Sequence, residues 1–202
     1  MLENVIRELD AGYWENRYSR HDHPWDLGRP SSPLKEYLNS IDDKSSRILI
    51  PGSGCAYEAA YGFRKGMQNI HVLDWSETAL SKFRFWSPDF PESNIHQGDF
   101  FLHDGKYDLI LEQNFFCAIP PSLRMLYVDK MWNLLEPGGL LCGVLFNFPF
   151  DPADGPPWGG DDAIYRELFR QKFRTIVIEP CRNSEPERLG MELFFCLKRT
   201  NV

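Results

Sequence analysis

The chain lacks a basic excess, a long apolar run and a paired-cysteine motif, and each absence removes a class of function. Only 22 Lys and Arg stand against 29 Asp and Glu, a formal charge of −7. Long contacts with a nucleic acid, whose affinity is built mainly from basic side chains neutralising phosphates, are therefore not expected. The longest apolar stretch of note, Leu140 to Phe146 with one glycine inside it, falls far short of the roughly 20 residues that a membrane-spanning helix needs. The first ten residues contain Glu3, Glu8 and Asp10 and lack the basic start and apolar middle of a secretory leader. The five cysteines, at 55, 117, 142, 181 and 196, form no C-x-x-C pair. They suit reduced, mostly buried thiols better than a disulfide framework or a zinc site, and Cys142 and Cys196 sit in apolar runs that read as core. No internal repeat or low-complexity tail is present. What remains is an acidic chain expected in the cytoplasm, a monomer or weak homo-oligomer that works on a small molecule without nucleic acid or membrane.

At 202 residues and 43% hydrophobic, one large domain with a sizeable core is expected. Residues 47–50 form a short apolar run halted by Pro51-Gly52-Ser53-Gly54, and Tyr57 to Lys65 has helical composition: strand, glycine-rich turn, helix. Asn69 to Asp74 repeats the strand, and Ser76-Glu77-Thr78 offers a cap for a helix through Phe85. Asn94 to Asp99 and Tyr107 to Gln113 supply strands three and four. Ser122 is placed to cap a helix that Pro137-Gly138-Gly139 ends before a buried strand from Leu140 to Asn147. After a Pro/Gly/Asp-rich loop, Asp161-Asp162 opens a helix through Lys172, and Arg174 to Glu179 and Gly190 to Lys198 close the chain as strands with no helix between them. Alternating strands and helices predict an α/β, Rossmann-like domain: a mostly parallel sheet covered on both faces, with one antiparallel strand near the edge. Residues 1–45 read as an aromatic-rich lid carrying Tyr13, Trp14, Tyr18 and Trp25, and residues 46–202 as the core.

In such a sheet the ligand sits beyond the carboxyl ends of the strands, where strand order reverses. Strand one ends in Gly52-Ser53-Gly54, where glycines let backbone approach a ligand and leave amides pointing at it. By itself this motif is also what a plain tight turn looks like. Asp74 ends strand two, 20 residues after Gly54, the position from which a carboxylate accepts from both hydroxyls of a ribose; its plainer role would be to cap the next helix. Asp99 and Phe100 after strand three offer a carboxylate and an aromatic face for adenine, or simply anchor their loop. Glu112-Gln113-Asn114 place three polar groups after strand four. The third glycine of the dinucleotide fingerprint is missing, Tyr57 standing in its place, which disfavours a nicotinamide. A cofactor with adenosine and no pyrophosphate fits better, and S-adenosylmethionine is the common one.

Seven segments in order then resemble a known family: Tyr13-Trp14, Pro24-Trp25-Asp26-Leu27-Gly28-Arg29, Ile50-Pro51-Gly52-Ser53-Gly54, Leu73-Asp74-Trp75-Ser76, Gly98-Asp99-Phe100-Phe101, Phe115-Phe116-Cys117-Ala118-Ile119-Pro120 and Gly155-Pro156-Pro157-Trp158. Together they resemble the thiopurine S-methyltransferases, and within them the thiol and halide branch. The resemblance implies a class I methyltransferase fold of seven strands, with an N-terminal segment closing over S-adenosylmethionine. It also implies methyl transfer to a small soft nucleophile (a thiol, bisulfide, halide or thiopurine-like acceptor) by in-line displacement, with S-adenosylhomocysteine as product. Position by position it implies Trp14, Tyr18 and Trp25 as lid contacts and Gly52, Ser53 and Gly54 at the methionine part. It puts Asp74 on the ribose, Asp99 and Phe100 at adenine, and Trp75 and Gln113 beside the cofactor. Gln113 stands where the thiol and halide branch favours an aromatic, and Tyr18 where it has Trp. Pro51-Gly52-Ser53-Gly54 departs from the Pro-Leu-Cys-Gly of the drug-methylating members.

On the acceptor side, Arg124 and Arg29 are candidate cations that would favour a thiolate, against the plainer role of surface ion pairs, and Trp158 is a candidate wall or a loop-packing residue. His21-Asp22-His23 reads as a solvated pair rather than a metal site, and Cys117 as a buried small hydrophobe rather than a nucleophile. The acidic group Asp151, Asp154, Asp161 and Asp162 reads as a loop and helix cap. A non-catalytic module binding the same adenosine cofactor on the same fold is the competing reading.

Overall fold

The computed structural model describes residues 9–153 and 155–200; the first eight residues of the expected lid, and Asp154, lie outside them. Seven strands form one sheet: β1 Ile48–Pro51, β2 Ile70–Asp74, β3 Ile95–Gln97, β4 Tyr107–Gln113, β5 Leu135–Phe146, β6 Phe173–Pro180 and β7 Glu192–Arg199. Their order is β3-β2-β1-β4-β5-β7-β6. The first five are parallel, and β7 runs antiparallel between β5 and β6, the antiparallel strand expected near the edge. The helices are α1 Ala11–Ser19, α2 Ser32–Ser40, α3 Tyr57–Arg64, α4 Glu77–Trp86, the single turn α5 Phe115–Ala118, α6 Arg124–Leu134 and α7 Asp162–Phe169.

Side chains alternate across a strand, and the alternation divides the core into two layers. Leu49, Ile110, Leu141 and Leu197 face one way and meet Tyr127, Val128 and Met131 of α6 and Tyr165 and Phe169 of α7. Their neighbours Ile48, Leu109, Cys142 and Cys196 face the other way, onto Ala59 of α3, Leu80 and Phe83 of α4 and Leu38 of α2. Burying a side chain of this size is worth about 1.5–3 kcal/mol, so a one-residue slip of any central strand would exchange both layers at once.

Local chemistry sets the helix starts. Asp10, Ser76 and Asp161 accept from the backbone of Tyr13, Ala79 and Ile164 at 2.9, 3.1 and 2.8 Å, capping α1, α4 and α7. Ser122 does not cap α6: Pro121–Leu123 forms a 3₁₀ turn and the helix begins at Arg124 with no side-chain cap. Nor does the helix persist to Pro137-Gly138-Gly139, because Leu135 is extended and pairs with Tyr107, starting β5 five residues early; Glu136, preceding proline, is itself disfavoured in a helix. Cys142 and Cys196, expected as separate reduced thiols, oppose each other in the β5–β7 register with Cα atoms 4.2 Å apart and sulfurs within bonding distance. Only the antiparallel pairing, which two distant apolar runs do not reveal, brings them together. Among the described residues no helix is long and apolar enough to cross a membrane.

Candidate active site

Strand order reverses between β1 and β4, and a cavity of about 390 Å³ opens there beyond the strand ends. The sheet order fixes the order of its walls. Asp74, Asp99 and Phe100 come from the β2–β3 side, Ser53 and Gln113 from the β1 and β4 ends, and Phe146 and Arg188 from the β5–β7 side.

At the first end, Asp74 is held by two backbone donors, Gly54 N at 2.7 Å and Ser76 N at 2.9 Å. Ser76 caps α4, so Asp74 is not needed for that task and its carboxylate lies at the cavity wall with lone pairs to spare. Burial pushes the Asp74 carboxyl up while the backbone donors pull it down. Asp99 accepts from Phe101 N at 2.7 Å, fixing its own turn, and both it and the buried Phe100 line the cavity. Trp75 lines it as well. The two glycines also make room for protein side chains. Both have positive φ, +58° and +51°, and a Cβ on Gly52 would stand 2.1 Å from the Phe115 ring, one on Gly54 2.4 Å from the Tyr18 hydroxyl. They admit Phe115 and Tyr18 to the cavity wall. Ser53 Oγ and Asn114 Oδ1 are buried at this wall without a protein partner. A donor and an acceptor left over, with a carboxylate at the end of β2 and an aromatic beyond β3, fit an adenosyl amino acid.

The segment before β1 closes the cavity. Trp14, Tyr18 and Trp25 all line it, with Trp25 edge-on to Trp14 and to Tyr18 at 5.7 and 6.0 Å, and Trp25 Nε1 donates to the Tyr18 hydroxyl at 3.2 Å. Burial and the neighbouring Asp74 push the Tyr18 phenol up, so it stays neutral. Burial, with Asp26 nearby, pushes the Cys55 thiol up to about 12. Ser31 fastens the segment to the core, its N donating to Glu58 at 2.8 Å and its hydroxyl to Gln113 Oε1 at 2.6 Å. Gln113 therefore ties β4 to this segment as well as lining the cavity, which an aromatic there would not do.

Ile119, Pro120, Pro156 and Pro157 line the cavity too, as does Arg188, whose guanidinium lies 5.9 Å over the Phe146 ring. Arg188 pairs with buried Glu192 at 3.6 Å and donates to Trp25 O at 3.2 Å. The acceptor-side residues named from sequence fall differently. Arg29 lines the cavity but is clamped by both oxygens of buried Glu185. Arg124 is buried away from the lining, donating to the carbonyls of Trp158 and Gly159 at 3.2 Å and lying over the Phe116 ring at 4.5 Å. Trp158 is 2% exposed and packs on Gly155, its N donating to Cys117 O at 2.8 Å. Arg124 and Trp158 thus hold the loop whose Pro156 and Pro157 reach the cavity. Arg188, a cavity-lining cation that the sequence reading did not single out, stands on a 3₁₀ turn before β7; its only sequence signal was one Arg among many.

Beneath the turn, Glu112 accepts from Phe116 N at 2.6 Å and holds α5 against β4, while its second oxygen is buried without a partner. Burial pushes this carboxyl up to about 8, against the pull of the Phe116 and Phe115 amides. The folded chain therefore keeps a proton that the unfolded chain loses near pH 4.5. This contribution to stability is complete below that value and disappears as pH rises through about 8. Glu112→Gln is expected to gain on the wild type steadily between those limits in urea unfolding at stepped pH. A difference that stays flat with pH would refute the assignment.

The model of the family described as "Thiopurine S-methyltransferase" matches residues 9–191. The thiopurine S-methyltransferase of Vibrio campbellii is 37% identical over 196 residues, covering 88% of this chain and 90% of its own. The "Probable thiol methyltransferase 2" of Arabidopsis thaliana is 29% identical over 199 residues, covering 95% and 87%. Among solved structures, the Burkholderia thailandensis 1,6-didemethyltoxoflavin-N1-methyltransferase with bound S-adenosylhomocysteine superposes with a TM-score of 0.78. It covers 98% of this chain and 90% of its own at 17% identity, a likeness of fold.

Proposed function

Because the chain belongs to the thiopurine S-methyltransferase family, we propose that it transfers a methyl group from S-adenosylmethionine to a small soft nucleophile, a thiolate, bisulfide or halide, and releases S-adenosylhomocysteine. One observation carries this reading: a single cavity is lined by polar groups from the ends of β1, β2 and β4 and also by apolar Ile119, Pro156 and Pro157 and the cation Arg188. Bound S-adenosylmethionine supplies a methyl group already activated on a sulfonium. The chain's own residues have to hold, orient and desolvate. Asp74 accepts from the ribose, and Asp99 and Phe100 receive adenine. Ser53, Asn114 and the Gly52–Gly54 turn meet the methionine part, and Trp14, Tyr18, Trp25, Trp75 and Gln113 close around it. Of the described residues, those up to 45 form the lid and those from 46 onward the core.

On the acceptor side Arg188 favours an anion, and the walls of Ile119, Pro156 and Pro157 strip water from it, which raises the reactivity of a soft nucleophile. A thiol with a pKa near about 8.5 is partly ionised at neutral pH, and an adjacent cation increases that fraction. The cavity lies near the lower limit of the roughly 300–1,000 Å³ of small-molecule sites. A nucleoside-sized cofactor leaves space for a small acceptor only.

Calorimetric titration with S-adenosylhomocysteine, followed by methyl transfer from S-adenosylmethionine to bisulfide, iodide, small thiols and a thiopurine, tests the reading. Micromolar binding and transfer to the small anions are expected. Binding without transfer to any of them would make the chain a cofactor-binding module.

A further inference from the structure

Helix α1 contributes Trp14, Arg17 and Tyr18 to the cavity wall, so whatever fastens it governs how firmly the cavity is closed. Among the described residues, every side-chain hydrogen bond joining α1 to the core comes from Glu15. Its Oε2 accepts from Ser76 Oγ at 2.7 Å and from Thr78 N at 3.2 Å, and its Oε1 accepts from Thr78 Oγ1. The carboxylate thus sits on the first turn of α4, where the helix dipole and free amides favour negative charge. Capping is not what α4 needs from it, since Ser76 Oγ already accepts from Ala79 N.

The hydrogen bonds continue inward. Ser76 N donates to Asp74 Oδ1 and Gly54 N to Asp74 Oδ2, so Glu15, Ser76, Asp74 and the glycine turn form one connected chain. One helical turn further along α1, the Tyr18 hydroxyl rests against Gly54. The helix is therefore moored at both ends of the same small structure, the carboxylate and turn assigned to the cofactor.

We infer that Glu15 is a positioning residue for the cofactor: it latches α1 over the bound nucleoside and couples that closure, through Ser76, to the orientation of Asp74. The inference rests on the cofactor reading above. A ligand must break the Glu15 contacts to leave, so the latch acts mainly on dissociation.

The test uses the full chain with Glu15→Ala, Glu15→Gln and, from the core side, Thr78→Val, which keeps the fold accessible to measurement should an α1 variant fold poorly. S-adenosylhomocysteine is the probe. Its dissociation is followed by stopped-flow fluorescence of Trp14 and Trp25, its affinity by calorimetry, and the ligand-free protein by thermal unfolding. Expected are about tenfold faster dissociation and about tenfold weaker binding in Glu15→Ala. Glu15→Gln and Thr78→Val, which each retain part of the contact, fall between. The KM for S-adenosylmethionine rises while the KM for the acceptor and the ligand-free melting temperature stay at wild-type values. Dissociation at the wild-type rate in Glu15→Ala overturns the inference, and so does an affinity loss matched by a parallel loss of ligand-free stability, which would make Glu15 structural only. If the wild-type chain does not bind S-adenosylhomocysteine at all, the cofactor reading itself fails and takes the latch with it.

Discussion

Asp74→Ala is expected to weaken S-adenosylhomocysteine binding by at least a hundredfold. In the wild type each carboxylate oxygen already has one backbone donor, from Gly54 and from Ser76, and the residue lines the cavity. A hydrogen bond to a charged group contributes about 1.5–3 kcal/mol. Two ribose hydroxyls therefore account for at least ~3 kcal/mol, and each 1.4 kcal/mol or so is a factor of ten in affinity. The same substitution removes the partner of Gly54 N, so the turn that carries Ser53 is loosened as well. Asp74→Asn keeps one acceptor oxygen and should lose roughly tenfold, in line with one charged contact. Calorimetry on the three proteins decides it: binding by Asp74→Ala within threefold of wild type would remove Asp74 from the ribose.

The carboxyl ends of the strands were the most legible part of the site. Asp74 and Gln113 end near-continuously apolar strands and Asp99 follows the third, and that pattern together with the doubly wound rule places such residues in one crevice. Contacts between distant segments were not legible. Glu15 and Ser76 are 61 residues apart, and Asn114 and Glu192, joined at 3.0 Å, are 78 apart. Nothing local to either member announces the pair. The arginines show the limit most clearly. Arg29, Arg124 and Arg188 are chemically identical candidates until the fold assigns each its neighbours: Glu185 for the first, two loop carbonyls for the second, Glu192 and the cavity for the third. The glycines were legible as turn-formers, but not that their missing Cβ atoms also make room for protein side chains. Only the tertiary approach of Phe115 and Tyr18 reveals that.

Arg188→Met is expected to lower kcat/KM for anionic acceptors by about a hundredfold while leaving S-adenosylhomocysteine affinity within a few-fold of wild type. A unit charge about 4 Å from an anion at an effective dielectric near 20 is worth roughly 4 kcal/mol. Glu192, paired with it at 3.6 Å, offsets part of it, which leaves about 2–3 kcal/mol, and hence the hundredfold. The substitution has a second cost unrelated to the acceptor. Glu192 is 1% exposed, and its remaining partner in the structure is Asn114 Nδ2. Stripping one member from such a pair leaves a buried charge uncompensated, typically at about 3–5 kcal/mol of stability. The upper part of that range is not expected here, because Arg188 keeps 16% side-chain exposure and stands 3.6 Å away. The double variant Arg188→Met/Glu192→Gln separates the two effects. It should recover most of the lost melting temperature, since the neutral amide leaves no charge stranded, yet none of the activity toward bisulfide or a thiolate. Arg188→Lys should fall between, because an ammonium reproduces the charge but cannot reach Glu192, Trp25 O and the acceptor with one planar fork. If the double variant regains both stability and turnover, the cation serves the fold alone and the acceptor is not held as an anion.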